Sequence, residues 1–340
     1  MNRKSFALAA LALLASAAFT ACTADEDIES SLAPAAESDA ITFCVNNTAA
    51  RTSTRDMETS VTDFKVSATD GANTYFSSPL NVFSTDNGAS WTSSSKTSWP
   101  ASRPADWKGL TFVAYVDRSH NGSSFELNDG TASFTDYTVP ADVREQSDLM
   151  YAVAKDVRGG NVGLRFRHAL SQITFTAQNN HPAYAGIEII SIELGGVKGH
   201  GTYTFPQAST SAAAHGQWTL DENAAPGSYS ISNLGVRLAA CGADRNGETV
   251  TISSTTRSEG DNVMYLIPQQ VEEGAYIKVT ARMTLQDAPD ASYISEEIIP
   301  ISADWKEGQR YNYNIAWNAT PITFDVKVGD FREVSVIADL

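Results

Sequence analysis

From Ile41 onward, apolar and polar side chains alternate in short runs, and clusters of Gly, Pro, Asn, Asp and Ser interrupt them every eight to fifteen residues. Alternation at period two sends successive side chains to opposite faces of an extended chain, so the pattern predicts strands. Helices are expected to be nearly absent. The first strand is Ile41–Val45, which precedes the polar loop Asn46–Asp56. Val61–Ala68, Leu110–Val116 and Leu149–Ala154 follow, separated by long loops. The second half offers Ile187–Leu194, Gly201–Phe205, Ser228–Leu234, Glu248–Ser253, Val263–Ile267, Ala275–Gln286, Tyr293–Ile299 and Gln309–Trp317. That number of strands suits two-sheet sandwiches, and the lack of a fixed repeat argues against solenoids and propellers. Arg158-Gly159-Gly160-Asn161 is the clearest internal break. The expected fold is therefore all-β, with one β-sandwich domain over residues 41–160 and a second over 161–340.

Composition supports this and removes some functions. In 340 residues, 42% are hydrophobic and 19% charged, enough apolar mass for a sizeable core. With 24 Lys and Arg against 40 Asp and Glu, the net charge is −16, and the basic surface that nucleic acid requires is missing. Cys22, Cys44 and Cys241 form no CxxC pair, and five scattered histidines give no zinc spacing. No metal and no cofactor are expected. A Cys44–Cys241 disulfide is permitted outside the cytoplasm, while a buried free thiol at each position is the commoner arrangement.

The first 21 residues read as a secretory leader: Arg3 and Lys4 precede an uncharged run from Phe6 to Phe19. Fourteen helical residues rise roughly 21 Å, short of the roughly 30 Å needed to span a bilayer. Phe19-Thr20-Ala21-Cys22 resembles a lipobox, which makes Cys22 the expected lipidation site, where acyl chains anchor the mature chain to a membrane. Asp25, Glu26, Asp27 and Glu29 follow, and Ser30–Asp39 has the composition of a flexible tether, so residues 22–40 are expected to link the anchor to the folded body. Losing Arg3 and Lys4 with the leader takes the net charge from −16 to −18.

Catalytic signatures are missing: there is no HExxH, GxSxG, Walker loop or GxGxxG following a strand. No enzyme activity is expected. His200, between two glycines, reads as a turn residue, and His168 as a satisfied half-buried imidazole. Glu272-Glu273 and Glu296-Glu297 are adjacent pairs whose members point to opposite faces of a strand, unlike the facing carboxyls of a glycosidase. Asp244, Asn246 and Glu248 supply too few oxygens for calcium. Trp91, Trp99 and Trp107 recur every eight residues in the polar stretch 84–108. They either anchor that loop onto a sheet or form an aromatic platform for sugars.

Five segments together resemble the fimbrillin family of Bacteroidota: Leu110-Thr111-Phe112-Val113-Ala114-Tyr115, Asp148-Leu149-Met150-Tyr151-Ala152, Phe166-Arg167-His168-Ala169-Leu170-Ser171-Gln172-Ile173, Tyr265-Leu266-Ile267-Pro268-Gln269, and Trp305 with Gly308, Tyr311 and Tyr313. Each is weak alone, and their order after a lipobox is what carries the likeness. The resemblance implies two transthyretin-like sandwiches and export as a lipoprotein of the cell outer membrane. It also implies assembly with other fimbrial subunits, as a homo- or heteropolymer, into surface fimbriae that adhere to a host or bacterial ligand. It further implies that proteolysis after an arginine beyond the first strand frees that strand. Arg51 and Arg55 are the candidates here.

The alternation in Ile322-Thr323-Phe324-Asp325-Val326-Lys327-Val328 sets Ile322, Phe324, Val326 and Val328 on one face. Within residues 321–340 this segment is either a donor strand for a neighbouring subunit or the last strand of its own domain. An alternative function, a surface glycan-binding lipoprotein, rests on the tryptophans alone.

Overall fold

A computed structural model describes residues 39–45, 61–76, 78–86, 88–116, 124–210, 214–252, 262–271, 273–318 and 323–330. Leader, lipobox, acidic tether, Arg51, Arg55, Glu272 and Ile322 lie outside them. Among the described residues there are twenty-four strands and one 3-10 turn, at Val143–Glu145. In chain order they are β1 (Thr42–Val45), β2 (Asp63–Asp70), β3 (Asn73–Thr74), β4 (Leu80–Phe83), β5 (Thr92–Ser93), β6 (Leu110–Val116), β7 (Ser124–Asn128) and β8 (Thr131–Thr138). Next come β9 (Met150–Val157), β10 (Asn161–Leu164), β11 (Arg167–His168), β12 (Ser171–Asn179), β13 (Tyr184–Val197), β14 (His200–Thr204), β15 (Gln217–Leu220) and β16 (Gly227–Ala239). The last eight are β17 (Thr249–Thr251), β18 (Met264–Leu266), β19 (Gln270–Val271), β20 (Tyr276–Leu285), β21 (Ser292–Pro300), β22 (Ala303–Asp304), β23 (Gln309–Trp317) and β24 (Thr323–Asp330). No helix among the described residues is long and apolar enough to cross a membrane.

The strands form a seven-stranded sheet in the order β11-β9-β6-β2-β4-β5, with β3 beside β2. Two four-stranded sheets run β15-β14-β8-β7 and β16-β13-β20-β21, and a five-stranded sheet runs β17-β12-β23-β24, with β18 also on β12. Two short pairs, β1-β10 and β19-β22, complete the set. The class is all-β, as the alternation predicts, and β6 and β23 have the bounds read from the sequence.

The loop expected between Val116 and Leu149 contains the hairpin β7-β8. Its turn is Asp129-Gly130, both with positive φ (48° and 75°), the backbone that a tight two-residue hairpin requires. An Asp-Gly pair between alternating residues was the available signal.

Two cores result, and β6 and β9 divide them. Phe112, Ala114, Met150, Ala152 and Ala154 pack in one, with Ile41, Phe43, Phe64, Val162, Leu164 and Phe166. Val113, Tyr115, Tyr151 and Val153, on the opposite face of the same strands, pack in the other with Phe134, Tyr203 and most of the C-terminal strands. Burial on both faces explains why both strands read as continuous apolar runs.

Elements on the two sides of residue 160 pair with one another. β1 pairs with β10, β8 pairs with β14 through Tyr137↔Gly201 and Tyr203↔Phe134, and the N-terminal core runs on to Phe166. Gly-Gly at 159–160 marks a turn between β9 and β10, a local feature that carries no information on which core the next strand joins.

Candidate functional site

The two ends of the described chain are the candidates for assembly. At the C-terminal end, β23 sits inside its sheet, parallel to β12, and β24 covers its other side antiparallel. The register sets Val328 opposite Tyr311, Val326 opposite Tyr313 and Phe324 opposite Ile315. These three β23 residues are core residues. In the single chain, therefore, β24 is the last strand of its own sheet and lies at that sheet's edge. Val328 is 59% exposed.

At the N-terminal end, β1 runs parallel to β10 over four residue pairs. Ile41 donates to the Thr97 carbonyl at 2.9 Å, and Trp99 donates to the Asp39 carbonyl at 2.7 Å. Ile41 and Phe43 are buried, and Phe43 meets Phe64 and Phe112 edge to face, with ring centroids 6.2 and 5.9 Å away. A short strand thus plugs the N-terminal core mainly through two side chains.

The three tryptophans face inward. Trp99 is buried with its ring edge-on to Phe112 at 5.8 Å, and Trp91 packs on Phe64 at 5.2 Å. Trp107 donates its indole N–H to Asp70 at 3.0 Å, and the Arg103 guanidinium lies 5.9 Å from Trp99 and 5.6 Å from Trp107. Their rings hold the loop 84–108 against the seven-stranded sheet.

The other candidates have local partners. His168 Nδ1 bonds Asp148 in a largely buried pair, and His200 Nδ1 lies 3.2 Å from Asp221. The Asp244 carboxylate accepts from the Asn246 N–H at 3.3 Å, within its own turn. Glu296 is exposed and Glu297 half-buried on β21. Cys241 is a half-buried free thiol and Cys44 is disulfide-bonded, so no Cys44–Cys241 bridge forms and the free thiol expected at Cys44 is not found. Among the described residues, no three His, Cys, Asp or Glu are grouped to hold a metal.

One polar cluster has no signature in the sequence. Glu307, in the turn before β23, accepts hydrogen bonds from the hydroxyls of Tyr151 on β9 and Tyr203 on β14, the latter at 3.2 Å. His215 Nδ1 approaches the same carboxylate at 3.5 Å, and the Gly216 N–H donates to the Tyr151 oxygen at 3.3 Å. Gly216 has to be glycine, because a Cβ there would lie 2.2 Å from the Tyr203 oxygen. Burial pushes the Glu307 pKa up, and burial together with the Glu307 charge pushes both tyrosines up. The arrangement ties three sheets together at one carboxylate.

A cleft of about 360 Å³ opens between the seven-stranded sheet and β8, lined by Asp70, Lys108, Asp129, Lys155 and Asp156 among others. Lys155 Nζ is spent on the Gln207 carbonyl at 2.9 Å, and Asp70 on Trp107.

The sequence profile of the fimbrillin-like family matches residues 45–330, and the chain belongs to that family. A fimbrial protein from Bacteroides vulgatus shares the fold with a TM-score of 0.61 at 15% identity, covering 86% of this chain and 99% of that one. A candidate cell adhesion protein from Bacteroides uniformis does so with a TM-score of 0.50 at 14% identity, covering 87% and 98%. No curated protein matches the sequence.

Proposed function

We propose that the protein is a structural and adhesive subunit of cell-surface fimbriae, exported as a lipoprotein on Cys22 and assembled by strand exchange. The observation that carries the reading is the attachment of β1. A four-residue parallel strand is held by its pairing with β10, by two flanking backbone hydrogen bonds and by the side chains of Ile41 and Phe43, and a cut after Arg51 or Arg55 makes those contacts non-covalent ones that an incoming strand can replace. Its departure uncovers Phe64, Phe112 and the open edge of β10, an apolar groove with unpaired backbone groups. Such a groove takes up a strand from another chain by backbone pairing and burial of alternate side chains.

In this reading residues 321–340 supply that strand after leaving β23. β24 suits this role because it closes one edge of its sheet and its departure breaks a single strand pairing. Fimbrial subunits are the partners, and the outer membrane is the site of anchoring.

Amino-terminal sequencing of protein taken from the cell surface tests the cut: a start at Thr52 or Asp56 is expected, and lipidated Cys22 on assembled subunits refutes it. Cys22→Ala is expected to abolish palmitate labelling. Deleting residues 321–340 is expected to leave a folded monomer that does not polymerise. An unfolded product would show that β24 is needed by its own domain and end the donor assignment.

A further inference from the structure

A second edge has no part in that scheme. β21 pairs only with β20 among the described strands and closes the sheet β16-β13-β20-β21. Its register with β20 runs from Tyr276↔Pro300 to Thr284↔Ser292 without a shift. One step beyond, the Ile301 N–H donates to the Ala275 carbonyl at 3.0 Å, so 301 and 275 are a hydrogen-bonded pair. Antiparallel pairs alternate, which makes 299, 297, 295 and 293 the β21 residues that bond β20. Ser292, Ile294, Glu296 and Ile298 therefore turn their N–H and C=O groups to the free edge.

The same residues carry the exposed side chains. Ile294 is 59% and Ile298 64% exposed, and the exposed Glu296 lies between them. They share the outer face with Lys278, Thr280 and Arg282 of β20, opposite the core. Deeper on that face the charges are already paired: Glu193 accepts from Tyr276 at 2.6 Å and meets Lys278 at 3.0 Å, and Glu188 meets Arg282 at 2.9 Å. Natural edge strands are usually blunted by Lys, Pro or bulges. β21 has its proline at the last position and no bulge against β20, so along Ser292 to Ile298 the blunting groups are the charges of Glu296 and Glu297.

Charge decides the occupant. In a self-pairing of two β21 strands, the register that matches Ile294 with Ile298 sets Glu296 directly against its own copy, and like charges in that position are destabilising. A strand with apolar, basic and apolar side chains at alternate positions instead stacks on both isoleucines and pairs its cation with Glu296. In this chain that order occurs once with branched aliphatic residues, at Val153, Lys155 and Val157. That stretch is β9, which is occupied by β6 on one side and by Ser209 and Thr210 on the other. We propose that the free edge of β21 docks an extended strand of a different protein, one whose outward side chains read apolar, Lys or Arg, apolar.

The probe is a fluorescein-labelled peptide, Thr-Ile-Thr-Arg-Thr-Ile-Thr with blocked ends, titrated by anisotropy against the purified chain. The Arg peptide is expected to bind at least tenfold more tightly than the same peptide with Glu at its centre. Glu296→Lys should reverse that order, and Ile294→Thr with Ile298→Thr should weaken the Arg peptide at least tenfold while the thermal transition holds. Equal binding of the two peptides, no binding of the Arg peptide, or indifference to Glu296→Lys overturns the proposal. So does a concentration-dependent dimer in sedimentation that the two threonine changes abolish, since that shows self-pairing. The readout needs neither lipidation nor polymerisation, so it stands or falls apart from the fimbrial reading.

Discussion

Phe43→Ala tests how β1 is held. Phe43 is 5% exposed and meets Phe64 and Phe112 edge to face. Truncating a buried phenylalanine costs about 3–5 kcal/mol, the sum of lost transfer and the cavity left behind. The lower end applies only if the site collapses, and here a sheet on one side and β10 on the other resist collapse. At about 2–4 °C per kcal/mol for a domain of this size, a loss near 4 kcal/mol lowers the transition by roughly 8–16 °C. Trp91 and Trp99, packed on Phe64 and Phe112, report that transition by fluorescence. Thr42→Ala, at the neighbouring exposed position, serves as the control and should change stability by less than about 0.5 kcal/mol. A shift below about 3 °C for Phe43→Ala would mean that β1 does not plug the core, and the groove argument would fail with it.

Glu307→Gln should flatten the dependence of stability on pH. Because burial raises the folded-state pKa of Glu307, the folded chain holds that proton more tightly, and wild-type stability is lost as pH rises through the raised value. Thermal scans at about pH 4 and 7 should show the Gln variant losing less on the way up, and an unchanged slope refutes the assignment. Gly109→Ala should destabilise severely, since φ is 111° and a Cβ would lie 2.6 Å from the Asp156 backbone; a normal expression level and unchanged transition would contradict this. Trp99→Ala should cost about 3–5 kcal/mol in urea unfolding and leave any glycan-array signal at the level of equally destabilised controls. A signal lost in Trp107→Ala at unchanged stability would instead revive sugar binding.

What the sequence reveals depends on how local the cause is. β6 and β23 are legible because a run such as Leu110–Val116 carries its own burial pattern. The Asp129-Gly130 turn is equally local, yet its flanks, Ser124–Asn128 and Thr131–Thr138, are half polar and read as loop. Pairing across distance leaves no such mark. Nothing in Thr42–Val45 names Asn161–Leu164 as its partner, which is why a Gly-Gly turn suggested a boundary that β1-β10 pairing spans. The Glu307 cluster draws on residues 151, 203, 215 and 307, a spacing without a motif. Adjacent carboxylates and recurring tryptophans stood out in the sequence, while the residue that the fold buries and perturbs was a single glutamate in a turn.

The two-faced burial of β6 and β9 bears on how such a chain can evolve. A gene fragment ending near residue 160 would encode these strands with one face dressed and the other bare, leaving Val113, Tyr115, Tyr151 and Val153 open to water. Recombination between relatives at that point would have to match both surfaces of the same two strands.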